Sequence, residues 1–107
     1  MLFIETPIFT QAVTEHLAPE EYRRLQLALL LRPGQGPILQ GGGGVRKVRW
    51  ATGARGKSGG VRVIYYWERG SDTIYMLYIY PKSIADDLSP QQLSTLRKVV
   101  KEYLRDE

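Results

Sequence analysis

Two long β-prone runs constrain the fold of this chain more than any other feature. They occupy Val61–Glu68 (VRVIYYWE) and Thr73–Tyr80 (TIYMLYIY), and Arg69–Asp72 between them has the composition of a turn. Apart from Arg62, the runs are apolar on both faces, as in strands that are covered on each side. The pattern predicts two central strands of one sheet, with other elements packed against both faces.

The first third of the chain has the pattern of a short strand, Leu2–Glu5, followed by a helical hairpin. Thr6 and Pro7 suit the start of a helix, because threonine caps free N–H groups and proline lacks the N–H that the first helical position leaves unbonded. Pro19 breaks this helix and starts a second, which ends before Pro33. Apolar residues recur at helical spacing in both helices: Ile8, Phe9, Val13 and Leu17 in the first, and Tyr22, Leu25, Leu29 and Leu30 in the second.

The rest of the chain adds one more strand and a final helix. Val45–Trp50 alternates as a strand, with Pro33–Gly44 and Thr52–Gly60 as the loops on either side. Ser89–Gln92 has the capping-box pattern of a helix start. The apolar stripe of that helix consists of Leu93, Leu96, Val100 and Leu104. The order β-α-α-β-β-β-α predicts a single α+β domain over residues 1–107, an antiparallel sheet with an N-terminal helical hairpin and a C-terminal helix.

Composition excludes several classes of chemistry. The chain has 107 residues, enough for one domain, and carries a net charge of +4. It contains no cysteine and one histidine, so thiol catalysis, disulfides and multi-histidine metal sites are excluded. No apolar stretch is long enough to span a bilayer, and the start MLFIE lacks the basic region of a signal peptide. We therefore expect a cytoplasmic protein that uses no metal or cofactor and does not act at a membrane.

Positive charge is concentrated in the middle of the chain. No acid occurs in residues 22–67, whereas nine of the 15 Lys and Arg do. Strand alternation places Lys47 and Arg49 on one face, and Arg55 and Lys57 fall in the glycine-rich loop that follows. Because a solvated face normally mixes both signs, we interpret this stretch as a surface for a polyanion.

Arg62 is a cation inside an otherwise core-like strand. An unpaired buried charge is costly, so either a carboxylate pairs with Arg62 or the side chain faces a cleft that admits an anion. The scarcity of acids nearby in sequence favours the cleft. The adjacent acids Asp86 and Asp87 are too few to indicate a cation site, and we interpret them as part of a solvated turn.

The remaining reactive side chains are Lys, Arg and Tyr, and they suit the cleavage of RNA. RNA carries its own nucleophile, the 2′-hydroxyl, so its cleavage needs phosphate positioning, charge stabilisation and proton transfer, but no protein nucleophile and no metal. Arginine holds phosphate bidentately, lysine among other cations can exchange protons, and tyrosine can stack on a base. The expected products are a 2′,3′-cyclic phosphate and a free 5′-hydroxyl. The candidates are Lys47, Arg49, Arg55, Lys57, Arg62, Tyr80 and Lys82.

The sequence resembles the HigB branch of the RelE/ParE toxin superfamily, the toxins of type II toxin–antitoxin systems. The resemblance is carried by GGGGVRKVRW, GKSGGVRVIYYW, IYMLYIYPKSIADDLS and LSTLRKVVKEYL, and the element order agrees along the chain. Its most specific part is G-K-S-G-G-x-R-x-I-Y-Y followed by Y-x-K-S. The resemblance implies a RelE-like fold.

The resemblance also implies a function: a ribosome-dependent mRNA endonuclease that acts in the ribosomal A site and is neutralised by a DNA-binding antitoxin of the HigA kind. The family's strand arginine matches Arg62, which would hold the scissile phosphate. The lysine after its last strand matches Lys82, with Tyr80 beside it, and its basic strand matches Lys47 and Arg49. The predicted catalytic residues are therefore Arg49, Arg62, Tyr80 and Lys82, and the predicted RNA-binding residues are Lys47, Arg55 and Lys57. Arg49 stands where RelE itself has a lysine, which leaves the general acid open because arginine hardly loses its proton.

Two other functions fit the same sequence. A ParE-like toxin shares the fold but inhibits DNA gyrase without cutting RNA, and the combination of Arg62 with Lys82 favours the nuclease over it. A noncatalytic nucleic-acid-binding module would use the basic strand together with the aromatic side chains, and its binding would be salt-dependent without cleavage.

Overall fold

The order of helices and strands is the predicted one, β-α-α-β-β-β-α. A computed structural model describes residues 1–52, 60–85 and 87–105. Within them the chain forms an α+β fold of three helices and a four-stranded mixed sheet, consistent with a RelE-like fold. The elements are β1 (Leu2–Glu5), α1 (Pro7–His16), α2 (Pro19–Leu31), β2 (Arg46–Trp50), β3 (Val61–Glu68), β4 (Thr73–Pro81) and α3 (Pro90–Arg105).

The two long apolar runs are the central strands of the sheet, as predicted. The strand order is β1-β4-β3-β2, and the meander β2–β3–β4 is antiparallel. At the far edge β1 pairs with β4 in parallel, from Leu2 opposite Thr73 to Glu5 opposite Met76. The sheet was predicted to be antiparallel, which holds for the meander but not for β1. The sequence could not show the parallel pair, because no turn connects the two strands and strand alternation carries no information about direction.

Each face of the sheet is covered by helices, and each has its own apolar cluster. The helical hairpin packs on one face. The buried cluster there combines residues of the helices and of the sheet, and includes Phe9, Val13, Leu17, Leu25, Leu29, Val48, Val63, Tyr65, Ile74 and Met76. The other face packs against α3 through residues that include Val45, Ile64, Tyr75, Leu77, Tyr80, Leu96, Val100 and Leu104. None of the helices in the described ranges has the length and apolar character of a bilayer-spanning helix.

Two residues of the predicted helix stripes are exposed instead. Ile8 is 54% exposed and Leu30 is 45% exposed. The reason is that each helix touches the sheet along one narrow line. In α1 the contact line runs through Phe9 and Val13, and in α2 it runs through Leu25 and Leu29. Neighbouring apolar positions therefore remain outside the contact.

The predicted caps of α1 and α3 are both present. Thr6 Oγ1 accepts the Phe9 N–H at 3.1 Å and donates to the Leu77 carbonyl at 2.8 Å, so it also ties the start of α1 to β4. At α3, the Gln92 N–H donates to Ser89 Oγ at 3.1 Å, and the Ser89 N–H donates to Gln92 Oε1 at 2.9 Å. These bonds satisfy N–H groups that a helix start leaves without partners.

A bulge interrupts the regular pairing of the two central strands. Tyr78 lies opposite Ile64, but the next residue of β3, Tyr65, lies opposite Met76, which leaves Leu77 as an extra residue in β4. An extra residue shifts the alternation of a strand by one. Met76 therefore packs under the helical hairpin, whereas Leu77 and Tyr78 both pack on the side of α3.

The loop before β2 is fixed by Tyr65, which is fully buried. Its hydroxyl accepts the Gly36 N–H at 2.9 Å and donates to the Pro33 carbonyl at 2.8 Å. Burial raises the pKa of Tyr65, so the hydroxyl keeps the proton that it donates. From this anchor the loop runs along the outer edge of β2, where Ile38 forms a bridge with Arg46 and blocks further strand pairing.

We expect Tyr65→Phe to lower the free energy of unfolding by about 1–3 kcal/mol, because a buried N–H and a carbonyl lose their partner. Urea unfolding monitored by circular dichroism measures the change. Tyr103→Phe is the matched control, because its ring, which packs at 5.1 Å from that of Tyr75, is retained. Equal stabilities of the two variants would show that the Tyr65 hydroxyl does not anchor the loop.

Candidate functional site

Three residues predicted to be catalytic lie in one row across the sheet. Arg49 of β2 is opposite Arg62 of β3, and Arg62 is opposite Tyr80 of β4. Directly opposite residues on antiparallel strands have Cβ atoms about 4.5–5.5 Å apart and share a face. The structure therefore brings together three side chains that are separated by up to 31 positions in the sequence.

The bulge at Leu77 is what places Tyr80 in this row. Ile74 and Met76 face the helical hairpin, and unbroken alternation would carry Tyr80 to that same face. The extra residue reverses the alternation, so Tyr80 packs with the α3 cluster, on the face that carries Arg62. The extra residue Leu77 therefore determines both the pairing of the two strands and the presence of Tyr80 in the row.

The two arginines of the row differ in exposure. Arg62 is 3% exposed, which confirms a cation within the core-like strand, and its Nη1 lies 3.4 Å from the Val61 carbonyl oxygen. Arg49 is exposed. Like charges placed directly opposite each other on neighbouring strands are destabilising.

Lys82 lies at the same end of the sheet as the row. Its N–H donates to the Gly60 carbonyl at 3.1 Å, which continues the ladder one pair beyond Val61 and Pro81. Its side chain is exposed. Gly60 has φ +62°, and a Cβ there would lie 2.2 Å from the Trp50 carbonyl oxygen, so only glycine fits.

Lys47 is on the same face of β2 as Arg49, as predicted, but it is buried and paired. It is 7% exposed, and its Nζ lies 2.5 Å from Asp87 Oδ1. The interpretation of Asp87 as part of a solvated turn is therefore corrected: the residue is exposed, yet it makes an ion pair with the basic strand. No local pattern predicts this contact, because 40 positions separate the two residues.

The other two predicted RNA-binding residues, Arg55 and Lys57, lie outside the described residues. Within residues 1–52, 60–85 and 87–105, no group of three or more His, Cys, Asp or Glu side chains is arranged to hold a metal ion.

A groove of about 270 Å³ lies beside the row, between α1 and the end of β4. Tyr80 and Pro81 line one side, and Gln11 and His16 of α1 line the other. The groove shares Tyr80 with the row, although the side chains of the row lie on the α3 face of the sheet and α1 packs on the opposite face. Its volume can accommodate a planar ring such as a nucleobase.

Comparison with known protein families matches residues 33–107 to the family described as RelE toxin of RelE / RelB toxin-antitoxin system. The matched range holds β2, β3, β4 and α3. It therefore includes the whole Arg49–Arg62–Tyr80 row together with Lys47 and Lys82.

We expect Arg49→Gln to raise the free energy of unfolding by about 0.2–1 kcal/mol at low ionic strength, because it removes one of two opposed like charges. Urea unfolding measures the gain, and about 1 M salt should abolish it, since the Debye length is then near 3 Å. Arg23→Gln, an exposed position on α2, makes the same change in net charge. If Arg23→Gln stabilises the protein equally, the repulsion is not local to the row.

Proposed function

Because the chain belongs to the RelE toxin family, the toxin half of a toxin–antitoxin system, we propose that it is a HigB-like mRNA endonuclease that cuts mRNA on the ribosome. RelE-family toxins are in general ribosome-dependent endoribonucleases. Cleavage of mRNA in the A site stops translation, which makes the protein toxic in the cytoplasm. An antitoxin of the HigA kind neutralises it. The motif G-K-S-G-G-x-R-x-I-Y-Y with Y-x-K-S supports the HigB-like assignment.

The observation that carries the proposal is the row Arg49–Arg62–Tyr80. The guanidinium groups of Arg49 and Arg62, on facing positions, can bind one phosphate from two sides, and each can form paired N–H···O bonds. Arg62 is held in place by burial, so it presents fixed positive charge to the phosphorus centre as negative charge develops there. Exposed Arg49 is the first of the pair that an incoming RNA strand meets.

The groove between α1 and the end of β4 provides a place for a base near the scissile phosphate. Stacking of a base on an aromatic ring is worth about 1–3 kcal/mol. A base held in the groove fixes the sugar on which the 2′-hydroxyl sits. This positioning favours the in-line attack of the 2′-oxygen on phosphorus, which is the geometric requirement of the reaction.

Proton transfer falls to Lys82 in this proposal, because Arg49 occupies the position where RelE has a lysine and guanidinium does not titrate near neutral pH. The backbone bond from Lys82 to Gly60 fixes the start of the turn at the end of β4. A flexible lysine arm from this point can reach the leaving 5′-oxygen or the attacking 2′-oxygen. No protein nucleophile is required.

Expression of the protein in cells, followed by primer-extension mapping of mRNA, tests the proposal. We expect cuts that are phased with the reading frame, because only codons in the ribosomal A site are accessible. Arg62→Ala should reduce cutting by a factor of about 100–1000, the effect of losing one contact to transition-state charge. Arg23→Ala, on the exposed face of α2, should cut like the wild type.

Because Arg62 is buried, Arg62→Ala must be shown to fold by thermal unfolding. Arg49→Ala changes an exposed residue and should also lose cutting, so it tests the row even if Arg62→Ala unfolds. Full cutting by a folded Arg62→Ala or by Arg49→Ala would contradict the role of the row. Intact mRNA together with broken or supercoiling-arrested DNA would instead identify a ParE-like gyrase inhibitor.

We expect Lys82→Arg and Lys82→Ala to lose cutting by similar factors. If Lys82 transfers a proton, arginine cannot replace it. If it supplies charge alone, Lys82→Arg should retain most of the activity and Lys82→Ala should not. Cleavage rates on ribosomes programmed with a defined mRNA distinguish these outcomes. Wild-type rates in both variants would remove Lys82 from the chemistry.

A further inference from the structure

We propose that Lys47 forms a second phosphate subsite beside the Arg49–Arg62–Tyr80 row, and that the Asp87 carboxylate occupies this subsite in the free protein. The inference rests on the proposed function, since the ligand of the subsite is an RNA phosphate next to the scissile one. Asp87 then acts as an intramolecular substitute for that phosphate, which the incoming RNA displaces.

The position of Lys47 fits a neighbouring phosphate. Lys47 lies two residues before Arg49 on β2 and shares its face of the sheet. Two residues of an antiparallel strand span about 7 Å, comparable to the step between successive phosphates of an extended single strand. An RNA strand whose scissile phosphate lies on Arg49 and Arg62 therefore carries a second phosphate toward Lys47.

The ion pair is strongly asymmetric in exposure. The side chain of Lys47 is 9% exposed, whereas that of Asp87 is 73% exposed, although Nζ and Oδ1 are only 2.5 Å apart. A buried ammonium group requires an anionic partner, because removal from water is costly for a charge. Because Asp87 is exposed, its carboxylate contacts Lys47 from the solvent side, and a phosphate would approach from the same side. Carboxylate and phosphate oxygens both accept hydrogen bonds from ammonium.

Asp87 is held at this place by its neighbours in the chain. It belongs to the connection between β4 and α3, where Ala85 and Leu88 are half-buried in the α3 cluster. Leu88, the next residue, is an apolar anchor for the backbone at Asp87, whose own side chain extends into solvent. The carboxylate can thus leave Lys47 by side-chain rotation, with no change in the helix or the sheet.

This arrangement predicts that the free protein binds polyanions more weakly than its basic strand would allow. Asp87 competes with phosphate for the Lys47 ammonium group. RNA that is already held by Arg49 and Arg62 presents its next phosphate at high effective concentration, so the exchange at Lys47 is favoured only on a correctly seated strand. Asp87 in this way disfavours nonspecific RNA.

Asp87→Asn tests the inference, with Asp72→Asn as the matched control. Both substitutions remove one negative charge and so raise the net charge by one. Asp72, however, lies in the turn at the opposite end of the β3–β4 hairpin from Lys82, far from the row. The probe is a short single-stranded RNA with 2′-O-methyl groups, which cannot be cut through its 2′-oxygen. Its binding, measured by NMR titration at low ionic strength, therefore does not depend on nuclease activity.

We expect Asp87→Asn to bind this RNA about three- to fivefold more tightly than Asp72→Asn, the effect of removing one partly exposed competing ion pair. In a Lys47→Met background the difference should vanish. Lys47→Met with Asp87→Asn leaves no unpaired charge from this pair, so it serves as the reference for the comparison, and thermal unfolding shows that each variant is folded at the temperature of the titration.

Three results would overturn the inference: equal or weaker binding by Asp87→Asn than by Asp72→Asn, a difference that persists without Lys47, or no RNA binding by any variant. Failure of the proposed function is measured separately: primer-extension mapping would then show no ribosome-phased cuts by the wild type. The two failures are therefore distinguishable.

Discussion

The pairing of the two central strands, with its bulge at Leu77, is the constraint on which the rest of the structure depends. It determines which residues enter each apolar cluster of the core, because the alternation of β4 between the two faces of the sheet is reversed after Leu77. It also sets the site, because the same change of phase brings Tyr80 opposite Arg62. The packing of the core and the composition of the candidate site therefore both depend on one feature of the backbone, and a shift of register would disrupt both.

Much of the fold could be predicted from local patterns. The caps at Thr6 and Ser89 follow from short-range hydrogen bonds, and the two apolar runs follow from the need to bury both faces of a strand. Lys47 and Arg49 share a face because alternation has a period of two. The bulge and the parallel pairing of β1 depend on partners far away in sequence, which no local pattern reports.

The candidate site was predictable in its residue types and less so in its geometry. The excess of cations and the odd position of Arg62 are visible in the sequence, but the row needs three strands in register. The contact between Lys47 and Asp87 was missed because it joins a strand to a connection whose path depends on apolar anchors. Arg49 and Arg62 place like charges opposite each other on one face, and a local conflict of this kind is typical of functional sites.

The central claim is that the Arg49–Arg62–Tyr80 row cleaves RNA by positioning the 2′-hydroxyl of the substrate against its own phosphate. The most direct test is a ribosome-bound mRNA with a single 2′-deoxy nucleotide on the 5′ side of the cut, compared with the all-ribose mRNA. The all-ribose mRNA should yield a downstream fragment with a 5′-hydroxyl, and the 2′-deoxy mRNA should stay intact. Cleavage of the 2′-deoxy mRNA, or a downstream fragment with a 5′-phosphate, would contradict the claim.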